Sequence, residues 1–191
     1  MITIKTDRLT IRESSGRDFS RIYSMMLSES GKQENSTAGN AGGYDEPGER
    51  PCKGVRTVRD EVSRDEDEEL EKYLAYIHTV YPVFGFGLWT VCLKEDPSCI
   101  IGRCGLQPIA DDNSPLGRIE LGYLIDERWR GQGYASEACT AIVQYAFEKL
   151  EIEEIYAQIP AENKPSERLA RRLGFDRKTG GLWVMKNPAW T

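Results

Sequence analysis

The sequence predicts one α/β domain, with helices flanking a sheet whose first strands pair as antiparallel hairpins. Three observations predict it. Several short stretches alternate apolar and polar residues with a period of two, longer stretches repeat at helical spacing, and Gly, Pro, Asn and Asp clusters separate them. The 191 residues, 39% hydrophobic and 29% charged, suit a single domain over 1–191 with a real core.

Ile2, Ile4, Leu9 and Ile11 alternate as one half-buried strand, and Ser15 with Asp18 forms a capping box before a helix carrying Phe19, Ile22, Tyr23, Met26 and Leu27 on one face. Residues 30 to 56, polar and glycine-rich without periodicity, read as a long loop or insertion. "DEDEELEKYLAYIHTVY" opens with an acidic first turn suited to a helix N-terminus, and Leu70, Leu74, Ile77 and Tyr81 supply its buried stripe. "FGLWTVCLK" and "CIIGRCGLQPI" flank a turn-like Glu95-Asp96-Pro97-Ser98 as a hairpin, and "GRIELGYLID" follows as a third strand. Within it Ile119, Leu121, Tyr123 and Ile125 share one face and Glu120, Gly122 and Leu124 the other. From Ala135 apolar residues at 138, 139, 142, 143, 146, 147 and 150 hold helical spacing. "EEIYAQIP" is the next strand, Asn163 caps a helix that ends at Gly174, and "LWVM" is the last strand, giving the order β, α, α, β, β, β, α, β, α, β.

A formal net charge of −6 excludes general affinity for nucleic acid or anionic membranes, which requires a basic surplus. Five cysteines with no CxxC pair suggest neither a disulfide framework nor a zinc site, and a single histidine excludes a multi-His metal centre. No apolar run reaches the roughly 18 residues of a membrane span and the N-terminus reads as a strand, so a cytoplasmic location is expected.

Between the third strand and its helix stands "RWRGQGYA", Arg128 to Ala135. A helix start leaves about four N–H groups without partners and carries partial positive charge, and glycines let a phosphate approach those donors. With Arg128 and Arg130 adding charge, the junction reads as a pyrophosphate cradle; the plainer alternative is a strand-to-helix turn with solvated arginines. A Walker loop is excluded because no Gly-Lys-Ser/Thr follows, and a dinucleotide fingerprint needs glycine where Ser136 stands.

"IELGYLIDERWRGQGYASEACTAIVQYAFEKL", then "AENKPSERLARRLGF", together with the "GLWTVCLKEDPSCIIGRCGL" hairpin and the opening "TDRLTIRE", resembles the GNAT acetyltransferase superfamily and its ribosomal-protein N-terminal acetyltransferase-like branch. The likeness covers most of the chain outside residues 30 to 65. It implies a GNAT fold, a mixed, mostly antiparallel sheet splayed in the middle. It also implies acetyl-coenzyme A as co-substrate, its diphosphate held by Arg128, Trp129, Arg130, Gly131, Gln132, Gly133, Tyr134 and Ala135. Pantetheine would follow Tyr123, Leu124 and Ile125, with Asn163 near the thiol end. The implied reaction is direct acetyl transfer to a primary amine, either a protein N-terminus or a small amine, by a monomer or homodimer.

The acceptor amine must be neutral, so a base helps; Glu120, on the face opposite the Ile119/Leu121/Tyr123 stripe, is the candidate, against the alternative of an exposed strand carboxylate without a role. Ser166 and Tyr134 are candidates to protonate the departing thiolate, and Ser166 reads equally as a first-turn helix residue. Phe84, Phe86, Trp89 and Trp129 either wall an acceptor pocket or fill the core. Two further readings remain: a non-catalytic acyl-coenzyme A sensor that kept the cradle, and a nucleotide-binding domain preferring NAD or ATP.

Overall fold

A computed structural model describes residues 2–37, 62–111 and 114–190. Among them are eight strands, β1 (Thr3–Lys5), β2 (Leu9–Arg12), β3 (Leu88–Leu93), β4 (Ile100–Asp111), β5 (Ser114–Ile125), β6 (Glu154–Gln158), β7 (Asp176–Arg177) and β8 (Leu182–Lys186), and four α-helices, α1 (Phe19–Thr37), α2 (Glu66–Phe84), α3 (Tyr134–Glu148) and α4 (Lys164–Leu173). The strands form one sheet in the order β1-β2-β3-β4-β5-β6-β8-β7. Every neighbouring pair is antiparallel except β5 with β6, which are parallel and share a single register pair, Glu120 with Tyr156. Beyond that pair the two strands part, so the sheet is splayed at its middle as the resemblance implies.

Both faces of the sheet are covered. Leu106, Leu121, Cys104 and Trp89 pack with Ala138, Cys139, Ile142 and Ala146 of α3 and Leu169 of α4. On the other face Phe19, Ile22 and Tyr23 of α1 meet Tyr73, Tyr76, Ile77 and Val80 of α2 over Leu88. Phe86 and Trp89 are buried in the core, and Phe84 and Trp129 lie half-buried against it.

Several expectations change. The N-terminal strand is two strands, because the Thr6 hydroxyl accepts from the Leu9 N–H at 2.9 Å while the Thr6 N–H donates to the Leu9 carbonyl at 3.0 Å, folding β1 back on β2. The α1 helix continues to Thr37, so residues 30 to 37 are helical rather than loop, and 38 to 56 lie outside the described residues. In α2 the fully buried positions are Glu69, Tyr73, Tyr76, Ile77 and Val80, with Leu70, Leu74 and Tyr81 half-buried. The stripe is rotated because the tyrosine hydroxyls are drawn to backbone groups: Tyr73 donates to Ser15 O at 3.0 Å, and Tyr76 accepts from Leu88 N at 2.7 Å. Glu69 is buried as well, accepting from Ser63 N at 2.7 Å, so the acidic run is not uniformly solvated. Finally, β5 begins earlier than "GRIELGYLID", and the two-residue β7 was not anticipated.

The two expected caps are present: Ser15 and Asp18 form the capping box, and Asn163 Oδ1 accepts from Ser166 N at 3.2 Å. Asp65 also caps α2, through the N–H groups of Asp67 and Glu68. No helix among the described residues is long and apolar enough to cross a membrane.

Asp18 is the most consequential of these polar groups. Only 3% exposed, it receives both Arg12 guanidinium nitrogens at 2.7 and 2.8 Å. Burial pushes its pKa up, but the Arg12 and Ser15 hydrogen bonds outweigh burial and hold it below the usual carboxylate value. A carboxylate with a lowered folded pKa contributes stability in full above its unfolded value, about pH 4, and loses it as the pH falls through the depressed folded value. Asp18→Asn leaves Arg12 without its charge partner and is expected to cost about 3 kcal/mol. Urea unfolding at pH 7 and pH 3 checks this: the difference between wild type and variant should shrink at the lower pH.

Candidate active site

The site is built where β5 and β6 separate. Glu120, 6% exposed, sits at the apex of the opening, and its carboxylate accepts from the Gln158 N–H at 3.3 Å. With the ladder ending at Glu120 and Tyr156, this side chain supplies the acceptor that a β5 carbonyl would have provided. The exposed-carboxylate reading is therefore wrong, because β5 is an interior strand with helices over both faces. Across the sheet Glu120 is paired in register with Gln107 of β4, itself fully buried.

Three residues further along β5, on the α3 face, the Tyr123 hydroxyl meets Ser166 Oγ at 2.7 Å. The pair spans from β5 to the first turn of α4, next to Asn163, whose side chain caps that turn. Burial pushes the Tyr123 hydroxyl up to about 12, against a smaller opposing effect of the Ser166 hydrogen bond, so it stays a neutral donor at physiological pH. Tyr134 lies elsewhere: its ring packs edge-on to Trp129 with centroids 5.8 Å apart, beneath the Arg8 guanidinium at 4.4 Å. Sequence reasoning paired Ser166 with Tyr134 as alternatives, whereas the geometry pairs Ser166 with Tyr123.

After Ile125 a short 3-10 turn, Glu127–Trp129, carries the chain into the cradle. Gly131 and Gly133 take φ of 75° and 85°, the left-handed region that disfavours side chains, and Gly133 is the N-cap of α3 with no side-chain cap bond. The first rung of the α3 ladder is Glu137 N–H to Gly133 O at 3.0 Å. Among the described residues no protein acceptor faces the N–H groups of Gly131 to Ser136, leaving donors and a helix N-terminus for an anion. A Cβ at Gly131 would meet nothing within 4 Å, so the space above that backbone is open.

The arginines serve the loop more than sequence suggested. Arg128 bonds Asp126 through Nε and Nη2 at 3.1 and 3.2 Å, while Arg130 donates to Ile125 O at 2.8 Å and pairs with Glu29 at 2.6 Å. Asp126 also receives Arg21 of α1 and the Arg128 N–H. The Arg128 hydrogen bonds, helped by Arg21, hold the Asp126 carboxyl well below the usual range. Gln132 Nε2 returns to Arg128 O at 3.1 Å. Sequence reasoning missed Arg8, which donates to Gln132 O at 3.0 Å and pairs with Glu137 at 2.7 Å. No local signal announces a partner more than a hundred residues away.

Leu124 packs with the α1/α2 cluster and Ile125 is buried, so along the last stretch of β5 the exposed chemistry belongs to the backbone edge left by the splay. An edge of this kind, with a carboxylate at its apex, a hydroxyl pair across it and an anion cradle at its far end, fits an extended thioester carrying a diphosphate. The residues present thus suit acetyl-coenzyme A. Among the described residues no cluster of His, Cys, Asp or Glu could hold a metal ion.

Comparison with known proteins agrees. Residues 54–176 match the family described as acetyltransferase (GNAT) domain. The uncharacterized N-acetyltransferase p20 of Bacillus licheniformis is 34% identical over 90 residues, 47% of this chain and 48% of its own, so the chain spans about half the length of that relative. The [ribosomal protein uS5]-alanine N-acetyltransferase of Escherichia coli is 40% identical over 128 residues, 60% of this chain and 63% of that one. Among solved structures, an acetyltransferase from Agrobacterium tumefaciens superposes with a TM-score of 0.62 at 25% identity, covering 96% of this chain and 92% of the other. The family match, carried on a splayed sheet, establishes that this chain belongs to the GNAT acetyltransferases, whose co-substrate is acetyl-coenzyme A.

Proposed function

We propose that the chain transfers acetyl from acetyl-coenzyme A directly to a primary amine, the α-amine of a peptide N-terminus before a small polyamine. The observation that carries this reading is the parting of β5 from β6 with a buried carboxylate at its apex and a hydroxyl pair across it. A module that only binds the co-substrate has no use for either group.

Bound acetyl-coenzyme A supplies an activated thioester carbonyl. Glu120 takes a proton from the incoming amine, directly or through a water. An α-amine of pKa about 7.7–8 is roughly a tenth neutral at pH 7, whereas a lysine amine of pKa about 10.4 is under a thousandth neutral. One carboxylate therefore has far less to do for a peptide N-terminus. Ser166 is placed to hand a proton to the departing thiolate, and Tyr123 stands behind it as the hydrogen-bonded partner that replaces it. The first-turn N–H groups of α3 and the loop glycines take the diphosphate. Cys104 and Cys139 are buried 3.7 Å apart in the core; burial raises the Cys104 thiol well above its ordinary value, so it offers no thiolate for a covalent acetyl step, and Cys139 is closed off from any substrate by its burial. The E. coli relative, named for an alanine N-terminus, supports the peptide acceptor, and the excess of acidic residues favours a cationic one.

The test is a panel of amines assayed by thiol release with acetyl-coenzyme A, covering alanyl and seryl peptides, lysine side-chain analogues and polyamines. Fastest release with an N-terminal peptide amine is expected. Saturable binding of coenzyme A without release for any amine would replace this reading with the sensor. A larger rise in melting temperature with NAD or ATP than with coenzyme A would replace it with the nucleotide-binding domain.

A further inference from the structure

We infer that Gln107 is an acceptor-binding side chain that recognises the first peptide group of the substrate, making the site specific for an amine attached to an amide. The inference rests on the reading of the chain as an amine acetyltransferase.

Gln107 is 0% exposed, yet among the described residues neither its Nε2 nor its Oε1 has a hydrogen-bond partner. A buried amide left unpaired carries the full desolvation of both groups, and folded proteins rarely tolerate that without a use for them. Its position supplies the use. Gln107 on β4 lies directly opposite Glu120 on β5, and opposed residues share a face with Cβ atoms about 5 Å apart. Leu106 and Leu121, the adjoining pair, point to the α3 core, so Gln107 and Glu120 project to the other face together. The next pair on that face is Gly105 with Gly122, so neither strand raises a side chain there. Beyond it Arg103 and Leu124 are covered by α1 and α2, Arg103 lying against Met26 and Tyr76. The face therefore carries a buried carboxylate, a buried amide beside it and, next to both, a buried stretch without side chains that the Gly87 carbonyl covers at Gly105.

A primary amide offers one strong acceptor and two donors. Polyamines and alkylamines present only ammonium donors and would leave the Nε2–H groups unpaired. A peptide group presents a carbonyl and an N–H together, which satisfies both ends of Gln107 while the α-amine two atoms away from that carbonyl carbon reaches the Glu120 side. This complementarity selects a peptide or an amino-acid amide.

The experiment compares an alanyl peptide with its depsipeptide analogue, in which an ester replaces the first amide, as acceptors for the full chain with acetyl-coenzyme A. The ester keeps an α-amine of similar basicity but removes the N–H that Gln107 Oε1 would accept. In wild type kcat/KM should be about tenfold higher for the peptide. In Gln107→Met, which preserves shape and removes both unpaired groups, the peptide should lose that advantage while coenzyme A affinity by calorimetry stays the same. Equal kcat/KM for the two acceptors in wild type overturns the inference without any variant. A Gln107→Met enzyme that keeps the wild-type preference overturns it too. Absence of transfer to either acceptor by wild type would instead overturn the transferase reading, and the role of Gln107 with it.

Discussion

Glu120→Gln is expected to lower kcat/KM for a peptide acceptor at pH 7 by about a hundredfold or more, the usual weight of a positioned general base, while leaving coenzyme A affinity and melting temperature close to wild type. The substitution isolates the chemistry because of the geometry around Gln158. The glutamine side chain still offers an oxygen to the Gln158 N–H, the bond Glu120 makes at 3.3 Å, so the strand clip survives and only the base is lost. Glu120→Ala removes both, and leaving a buried N–H unpaired is expected to cost about 1–3 kcal/mol of stability. The pH dependence separates the two roles further. As the pH rises through the amine's own pKa, near 8, the acceptor arrives already neutral, so the deficit of Glu120→Gln should narrow between pH 7 and pH 9. A steady-state series measured at both pH values decides the matter: full activity of the variant at pH 7, or a deficit unchanged at pH 9, would remove Glu120 from the base role.

The same residue shows where sequence stops being informative. Alternation along "RIELGYLID" places Glu120 on the face opposite Leu121, and the structure agrees. Period two does not say whether that opposite face meets water. In a strand with neighbours on both sides and helices over both faces, a carboxylate is buried whichever way it points. Gln107, opposite it in register, is one of two polar residues, with Arg103, in "CIIGRCGLQPI", and it becomes informative only when its unmade hydrogen bonds are seen.

The α3 helix, the Asn163 cap and the left-handed Gly174 were legible because each is fixed by residues within a turn of chain. The ties that hold the cradle were not. Arg21 to Asp126, Glu29 to Arg130 and Arg8 to Glu137 each join residues roughly a hundred or more positions apart, and charges in sequence do not reveal their partners. That is also why Arg128 and Arg130 read as free cations for a phosphate. In the fold their guanidinium groups brace the loop, and the first-turn amides of α3 are the donors left without a protein acceptor.

That division leads to the second large effect, at Gly131 and Gly133. The double variant Gly131→Ala/Gly133→Ala is expected to weaken coenzyme A binding by about tenfold to a hundredfold, because charge-assisted bonds from backbone donors are worth roughly 1.5–3 kcal/mol each and a methyl group over the amides displaces the phosphate from them. Some of any loss would come from strain, since φ of 75° and 85° disfavours alanine by about 1–2 kcal/mol per residue. The structure provides a control for strain alone. Gly85, the left-handed C-cap of α2 with φ of 70°, also has nothing within 4 Å of a built Cβ. Gly85→Ala should lower the melting temperature about as much as Gly131→Ala does, with no change in coenzyme A affinity. At Gly133 the nearest atom to the new methyl is Arg8 Nη2 at 3.3 Å, the end of a flexible side chain that can move aside, so overpacking adds little. Calorimetric titration of the three variants with coenzyme A separates the two causes. If Gly131→Ala/Gly133→Ala binds as tightly as Gly85→Ala, the two glycines only turn the chain, and the diphosphate must be held elsewhere.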